Sequence, residues 1–198
     1  MRTPKSLTLF PRTIVFSHAN SFPAGTYRSL IEAWRAAGVT VHALPKFGHD
    51  PRFPVTSNWP SAEAAFEHFA AKPAFARWAP GVLRDYITCG VERHGAEGHG
   101  VEHSLSFDRD VETAIYNSLP HHLARTLRTH PLRCAMAFVR GSESTEVRRV
   151  GMAATERLAQ GRVSTIAGSH LFPFEHPLET ATEVLRLIAT LPAPTPHL

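Results

Sequence analysis

An α/β fold built on a parallel sheet is what this sequence predicts, and three observations predict it. The first sixty residues alternate strand, helix and strand, and the same alternation returns near residue 132. The chain of 198 residues, 43% hydrophobic and 19% charged, also has the composition of one compact domain with a sizeable core.

The elements follow in order. "TIVFS" (13–17) is β-branched and aromatic and ends at polar residues, as a short buried strand does. "HANSFPAG" (18–25) is a turn-rich loop. In residues 27–37, "YRSLIEAWRAA", Tyr27, Leu30, Ile31 and Trp34 fall at i, i+3, i+4 and i+7, the spacing of an amphipathic helix, and Gly38 closes it. "VTVHAL" (39–44) is the second strand, so the opening is a βαβ unit, whose strands run parallel. "PKFGHDPRFPVTSNWP" (45–60) is a Pro-rich loop at the carboxyl end of a strand, where open α/β sheets bind ligands.

The texture then changes. Residues 61–130 read as helical, with "SAEAAFEHFAA", "PGVLRDYITCG" and "DRDVETAIYNSL" separated by the His/Gly stretch "RHGAEGHGVEH". Ser61 is placed to cap the first of these helices. After residue 131, "LRCAMAFV" (132–139) is a strand, "TEVRRVGMAATERLAQ" (145–160) a helix, "RVSTIA" (162–167) a strand and "PLETATEVLRLIATL" (177–191) a closing helix. The tail "PAPTPHL" is Pro-rich and expected to be loose.

Composition excludes several classes. The net charge of +4 is spread as isolated arginines and never forms a basic face interleaved with aromatics, so no nucleic-acid partner is expected. No window approaches the roughly 20 apolar residues of a membrane span, and the N-terminus lacks the apolar region of a signal peptide. The two cysteines, Cys89 and Cys134, have no metal or disulfide spacing, so the chain is expected to be soluble and cytoplasmic. The 13 histidines include no HExxH and no H-x-x-x-H on a predicted helix, so no metal and no cofactor is expected.

Two segments carry candidate chemistry. "GSHLFPFEHP" (168–177) sets His170 just after a strand and before the last helix, where an imidazole at the rim of the sheet can act as a general base. "FVRGSESTEV" (138–147) offers Glu143 as the carboxylate that orients it, while Glu146 suits the first turn of a helix, where acids complement the macrodipole. Trp34, Trp59 and Trp78 are expected to pack in the interior, with Trp59 or Trp78 as alternatives for lining a pocket.

"HANSFPAGTY", "KFGHDPRFPVTSNWP", "FDRDVETAIYNSLPHHL" and "GSHLFPFEHP", taken in order, resemble an α/β-hydrolase family with a helical cap. The resemblance implies that residues 1–60 are the opening part of the hydrolase sheet, 61–130 the cap and 131–198 the end of the sheet. It implies a serine hydrolase acting on ester or similar bonds of small molecules. His170 is then the histidine of the triad, Asn20 or Ser21 supplies an oxyanion N–H, and His49 and Asn58 lie beside the substrate.

One part of the pattern is missing. The nucleophile elbow needs G-x-S-x-G on a strand-to-helix turn, and the sequence has none. "EHSLSF" (102–107) carries Ser104 without either glycine and alternates like a strand, and "GHD" (48–50) runs into Pro51. Segments that flank the elbow in the family abut here at Pro60-Ser61, which implies the loss of a block on the order of 60–100 residues and of central strands. The expectation is an impaired hydrolase, or alternatively a non-catalytic interaction module, with sheet edges open to association.

Overall fold

A computed structural model describes residues 13–46, 58–94, 102–107, 109–118, 122–130 and 132–192. His49, the N-terminal segment and the Pro-rich tail lie outside the described residues.

The opening βαβ unit forms as its periodicity predicts. β1 (Thr13–Phe16) pairs in parallel with β2 (Thr40–Ala43), in the register Thr13 with Thr40 and Phe16 with Ala43. Between them a 3₁₀ turn (Ala24–Tyr27) leads into α1 (Arg28–Ala36). All four residues of the predicted apolar stripe, Tyr27, Leu30, Ile31 and Trp34, are buried. Gly38 ends the helix at φ +80°, the left-handed position that favours glycine.

The segment from residue 58 departs from the helical expectation. It contains α2 (Ala62–Ala70), α3 (Pro73–Ala76), α4 (Val82–Gly90), α5 (Arg109–Asn117) and α6 (Leu123–Thr129). It also holds a three-stranded antiparallel sheet of β3 (Asn58–Trp59), β4 (Val91–His94) and β5 (Glu102–Leu105), in the order β3-β5-β4. β4 and β5 flank the His/Gly stretch, and cross-strand pairing supplies a signal that a local reading of "VERH" lacks. The Ser61 hydroxyl caps α2 by accepting from Ala64 N at 3.1 Å.

The closing part returns to α/β. β6 (Phe138–Gly141) and β7 (Val163–Ile166) pair in parallel. The predicted strand over 132–139 begins only at Phe138. The predicted helix over 145–160 is two helices, α7 (Thr145–Val150) and α8 (Ala153–Ala159), divided by Gly151 at φ +81°. Then come α9 (Phe172–Glu175) and α10 (Pro177–Thr190).

One hydrophobic cluster joins these pieces: Trp34 and Val41 from the opening unit, Phe69, Trp78 and Tyr86 from the middle, and Phe174 and Ala181 from the end. Trp34 is anchored at its polar tip as well, donating Nε1–H to the carbonyl of Ala181 at 3.1 Å. The 3₁₀ turn lies so close to α4 that a Cβ on Gly25 would fall 2.1 Å from Cys89 Sγ. Among the described residues the two parallel pairs are not hydrogen-bonded to each other.

Candidate functional site

Parallel pairing of β6 and β7 continues past the strand ends. Ser142 N donates to the carbonyl of Ile166 and Glu143 N to that of Gly168, each at 2.8 Å. The two loops are pressed together at glycines. A Cβ on Gly141 would fall 2.0 Å from the carbonyl oxygen of Ser169, and Gly168 takes φ +125° beside Glu175. This contact sets residues 142–146 beside His170.

His170 Nδ1 lies 3.3 Å from Ser144 Oγ and 3.9 Å from Glu146 Oε2. Ser144, only 2% exposed, is the N-cap of α7: its Oγ accepts from Val147 N at 3.3 Å and donates to Glu146 Oε2 at 3.2 Å. Glu146 is held below the usual carboxylate range, first by its own backbone N–H, then by the Thr145 and Ser144 hydroxyls and the nearby His170. Nε2 of His170 has no hydrogen-bond partner among the described residues, and the side chain is 58% exposed.

Glu143, expected to orient His170, is placed elsewhere. It forms a two-point ion pair with Arg77, at 2.7 and 3.3 Å, and that guanidinium lowers its pKa. The acid that faces His170 is Glu146, because the first turn of α7 brings it over the Ser144 cap. Arg77, just after α3, also reaches Glu175 Oε2 at 3.3 Å. Glu175, its side chain 2% exposed, accepts from Ser169 N at 3.1 Å and from the Ser169 hydroxyl. One arginine from the middle segment thus ties down the loops on both sides of His170. A buried glutamate five residues past the imidazole gives no sequence signal, whereas Ser144 before "TEVRRV" is a helix-cap signal that the sequence reading did not use.

The opening loop meets the same region through aromatics. Phe22 packs on Phe174 with ring centroids 5.0 Å apart, and Tyr27 on Phe174 at 4.6 Å. Burial raises Tyr27 to about 12, against a hydrogen bond from the backbone of Ala19. Asn20 has a buried Nδ2 with no hydrogen-bond partner among the described residues. Ser21 takes φ +65°, a strained conformation for a non-glycine residue, and its hydroxyl donates to Glu112 of α5.

Asn58 lies on β3, where its amide donates to Glu102 Oε2 at 2.6 Å. Ser104 is buried in the middle of β5, not on a strand-to-helix turn. Two surface grooves, of about 390 Å³ between β7 and α10 and about 360 Å³ between α2 and α4, are not lined by His170. Among the described residues no group of three or more His, Cys, Asp or Glu is placed to hold a metal, and no helix is long and apolar enough to cross a membrane.

No family model matches the sequence, and none of the curated proteins compared with it does. Solved structures do match. The crystal structure of E-2-(acetamidomethylene)succinate hydrolase aligns with a TM-score of 0.53 at 17% identity, over 90% of this chain and 58% of that one. The thioesterase domain from the curacin biosynthetic pathway aligns with a TM-score of 0.51 at 13% identity, over 87% of this chain and 56% of that one. The likeness shows the fold: the chain is built on the α/β-hydrolase fold, and it spans less than three-fifths of the length of these two structures.

Proposed function

We propose that this chain carries the base and oxyanion-loop side of a hydrolase site for ester-type bonds of small molecules, and that it lacks the serine that would attack. The carrying observation is the setting of His170. It follows a parallel strand, its Nδ1 is engaged by Ser144 beside Glu146, and Nε2 is left for a proton.

In this reading Nε2 takes the proton of an attacking hydroxyl and returns it to the leaving group. Asn20, with its unpartnered buried amide, and Ser21 sit on the loop that would stabilise the oxyanion. Phe22 on Phe174 holds that loop against the helix following His170. Asn58 and His49 belong to the substrate side, and residues 61–130 to a cap over the sheet formed by 1–60 and 131–198. The reaction needs no metal or cofactor, and the reading places the chain in the cytoplasm. A second reading, a non-catalytic interaction module, is favoured by the absence of G-x-S-x-G anywhere in the sequence.

Two measurements test the proposal. The folded chain treated with a fluorophosphonate probe is expected to show no stoichiometric, His170-dependent labelling of a serine by mass spectrometry. One serine labelled fully in the wild type and spared in His170→Ala would overturn it. Slow hydrolysis of an activated aryl ester is expected to fall in both His170→Ala and His170→Gln; rates equal to wild type would remove His170 from the base role.

A further inference from the structure

We infer that Ser144 is a positioning residue for His170: its hydroxyl touches both the imidazole and Glu146 and fixes the proton of the neutral ring on Nδ1. The inference rests on the reading of His170 as the base, but its test needs no substrate.

The hydroxyl geometry carries the argument. A serine oxygen has one proton to give and two lone pairs to receive. Ser144 Oγ has three polar neighbours: Val147 N at 3.3 Å, Glu146 Oε2 at 3.2 Å and His170 Nδ1 at 3.3 Å. The backbone N–H can only donate, so it takes one lone pair. An ionised carboxylate can only accept, so the hydroxyl proton goes to Glu146. The remaining lone pair faces Nδ1, which must then carry a proton. Turning the hydroxyl toward Nδ1 would set Ser144 Oγ against Glu146 Oε2 with no proton between them. The arrangement with every group satisfied is therefore His170 Nδ1–H to Ser144, and Ser144 O–H to Glu146.

Two consequences follow. The second ring nitrogen, Nε2, keeps its lone pair, the form a general base needs. Glu146, at 3.9 Å from Nδ1, acts through the hydroxyl. A serine relay orients the ring as a carboxylate would, but gives a positively charged imidazolium less direct support. Burial of Ser144 and its cap bond to Val147 hold the relay still while His170 itself is exposed.

The test is nitrogen-15 NMR of the histidine rings in the full-length chain, under conditions where His170 is neutral, assigned by comparison with His170→Gln. In water a neutral imidazole prefers its proton on the ε nitrogen. His170 is expected to show the Nδ1–H form as the major species. Ser144→Ala is expected to move the ratio toward Nε2–H by about fivefold, the Boltzmann factor of one net neutral hydrogen bond. Ser144→Thr, which keeps hydroxyl and cap, is expected to retain the wild-type ratio. A helix-capping role alone would not move the tautomer. A wild-type His170 found mainly as Nε2–H overturns the inference, as does an unchanged ratio in folded Ser144→Ala. If Ser144→Ala does not fold, the wild-type and Ser144→Thr spectra decide it. The aryl-ester and labelling measurements report separately on whether His170 is a base.

Discussion

Single atoms decide how closely the loops around His170 approach. The carbonyl oxygen of Ser169 occupies the place where a side chain at position 141 would begin. The obstruction is backbone, which cannot swing aside as a long side chain can. Gly141→Ala is therefore expected to destabilise the chain by about 3 kcal/mol, the upper part of the usual range for overpacking. Urea denaturation followed by circular dichroism checks this; a midpoint equal to wild type would mean that the β6 and β7 loops are not packed as described. At this scale the sequence was partly legible. His170 could be picked out because it directly follows a strand at the rim of the sheet. Its acidic neighbour could not, because Glu143 and Glu146 are only three residues apart in the sequence. Only the helical turn that starts at Ser144 decides that Glu146 faces the ring while Glu143 turns to Arg77.

Helices and strands differ in how much of their cause is local. The spacing of Tyr27, Leu30, Ile31 and Trp34 is sufficient by itself to specify α1, and α10 is read as easily. β5 lies in "EHSLSF", whose alternation is strand-like in the sequence, whereas β3 and β4 exist because they pair with it across intervening chain and nothing local announces them. The break between α7 and α8 turns on the left-handed backbone of Gly151, which periodicity alone smooths over. α10 is tied to its strand by a hydrogen bond from the Ser164 hydroxyl of β7 to Glu183, a carboxylate that also pairs with Arg186 within α10 itself. Arg186 and the Ser164 hydroxyl of β7 hold the Glu183 carboxyl at about 2, down from its ordinary 4.5. A carboxyl with a depressed folded-state pKa contributes stability above its unfolded value, lost as pH falls toward the folded one. The thermal midpoint of the wild type is thus expected to drop between about pH 4.5 and about pH 2 more steeply than that of Glu183→Gln. Because the pair is partly solvent-screened, the difference will be smaller than the full linkage. Parallel midpoint-versus-pH curves for the two proteins would show that the pair is not formed.

At the scale of the molecule, the described parallel strands form two separate pairs, and that arrangement has a cost. Parallel strands are ordinarily buried on both faces. Here α1 covers one face of the β1–β2 pair, while Val15 on the other face is 79% exposed and Leu44, just beyond β2, 55%. Exposed apolar side chains next to strands with an open edge favour pairing with another chain. The sequence shows a hydrolase-like pattern without G-x-S-x-G, but it does not say how the parallel strands are arranged. Among the described residues each parallel pair has open edges. We therefore expect the purified chain to self-associate through the β1 face. Sedimentation velocity over a range of concentrations should show oligomers that grow with concentration, and Val15→Lys should shift the distribution toward monomer. Lysine at that point places a charge on the open face without disturbing the core, since the side chain is already in solvent. The circular dichroism spectrum and urea midpoint of Val15→Lys are accordingly expected to match the wild type. A wild-type chain that stays monomeric at every concentration, or oligomers that Val15→Lys leaves intact, would mean that this face is covered by other means.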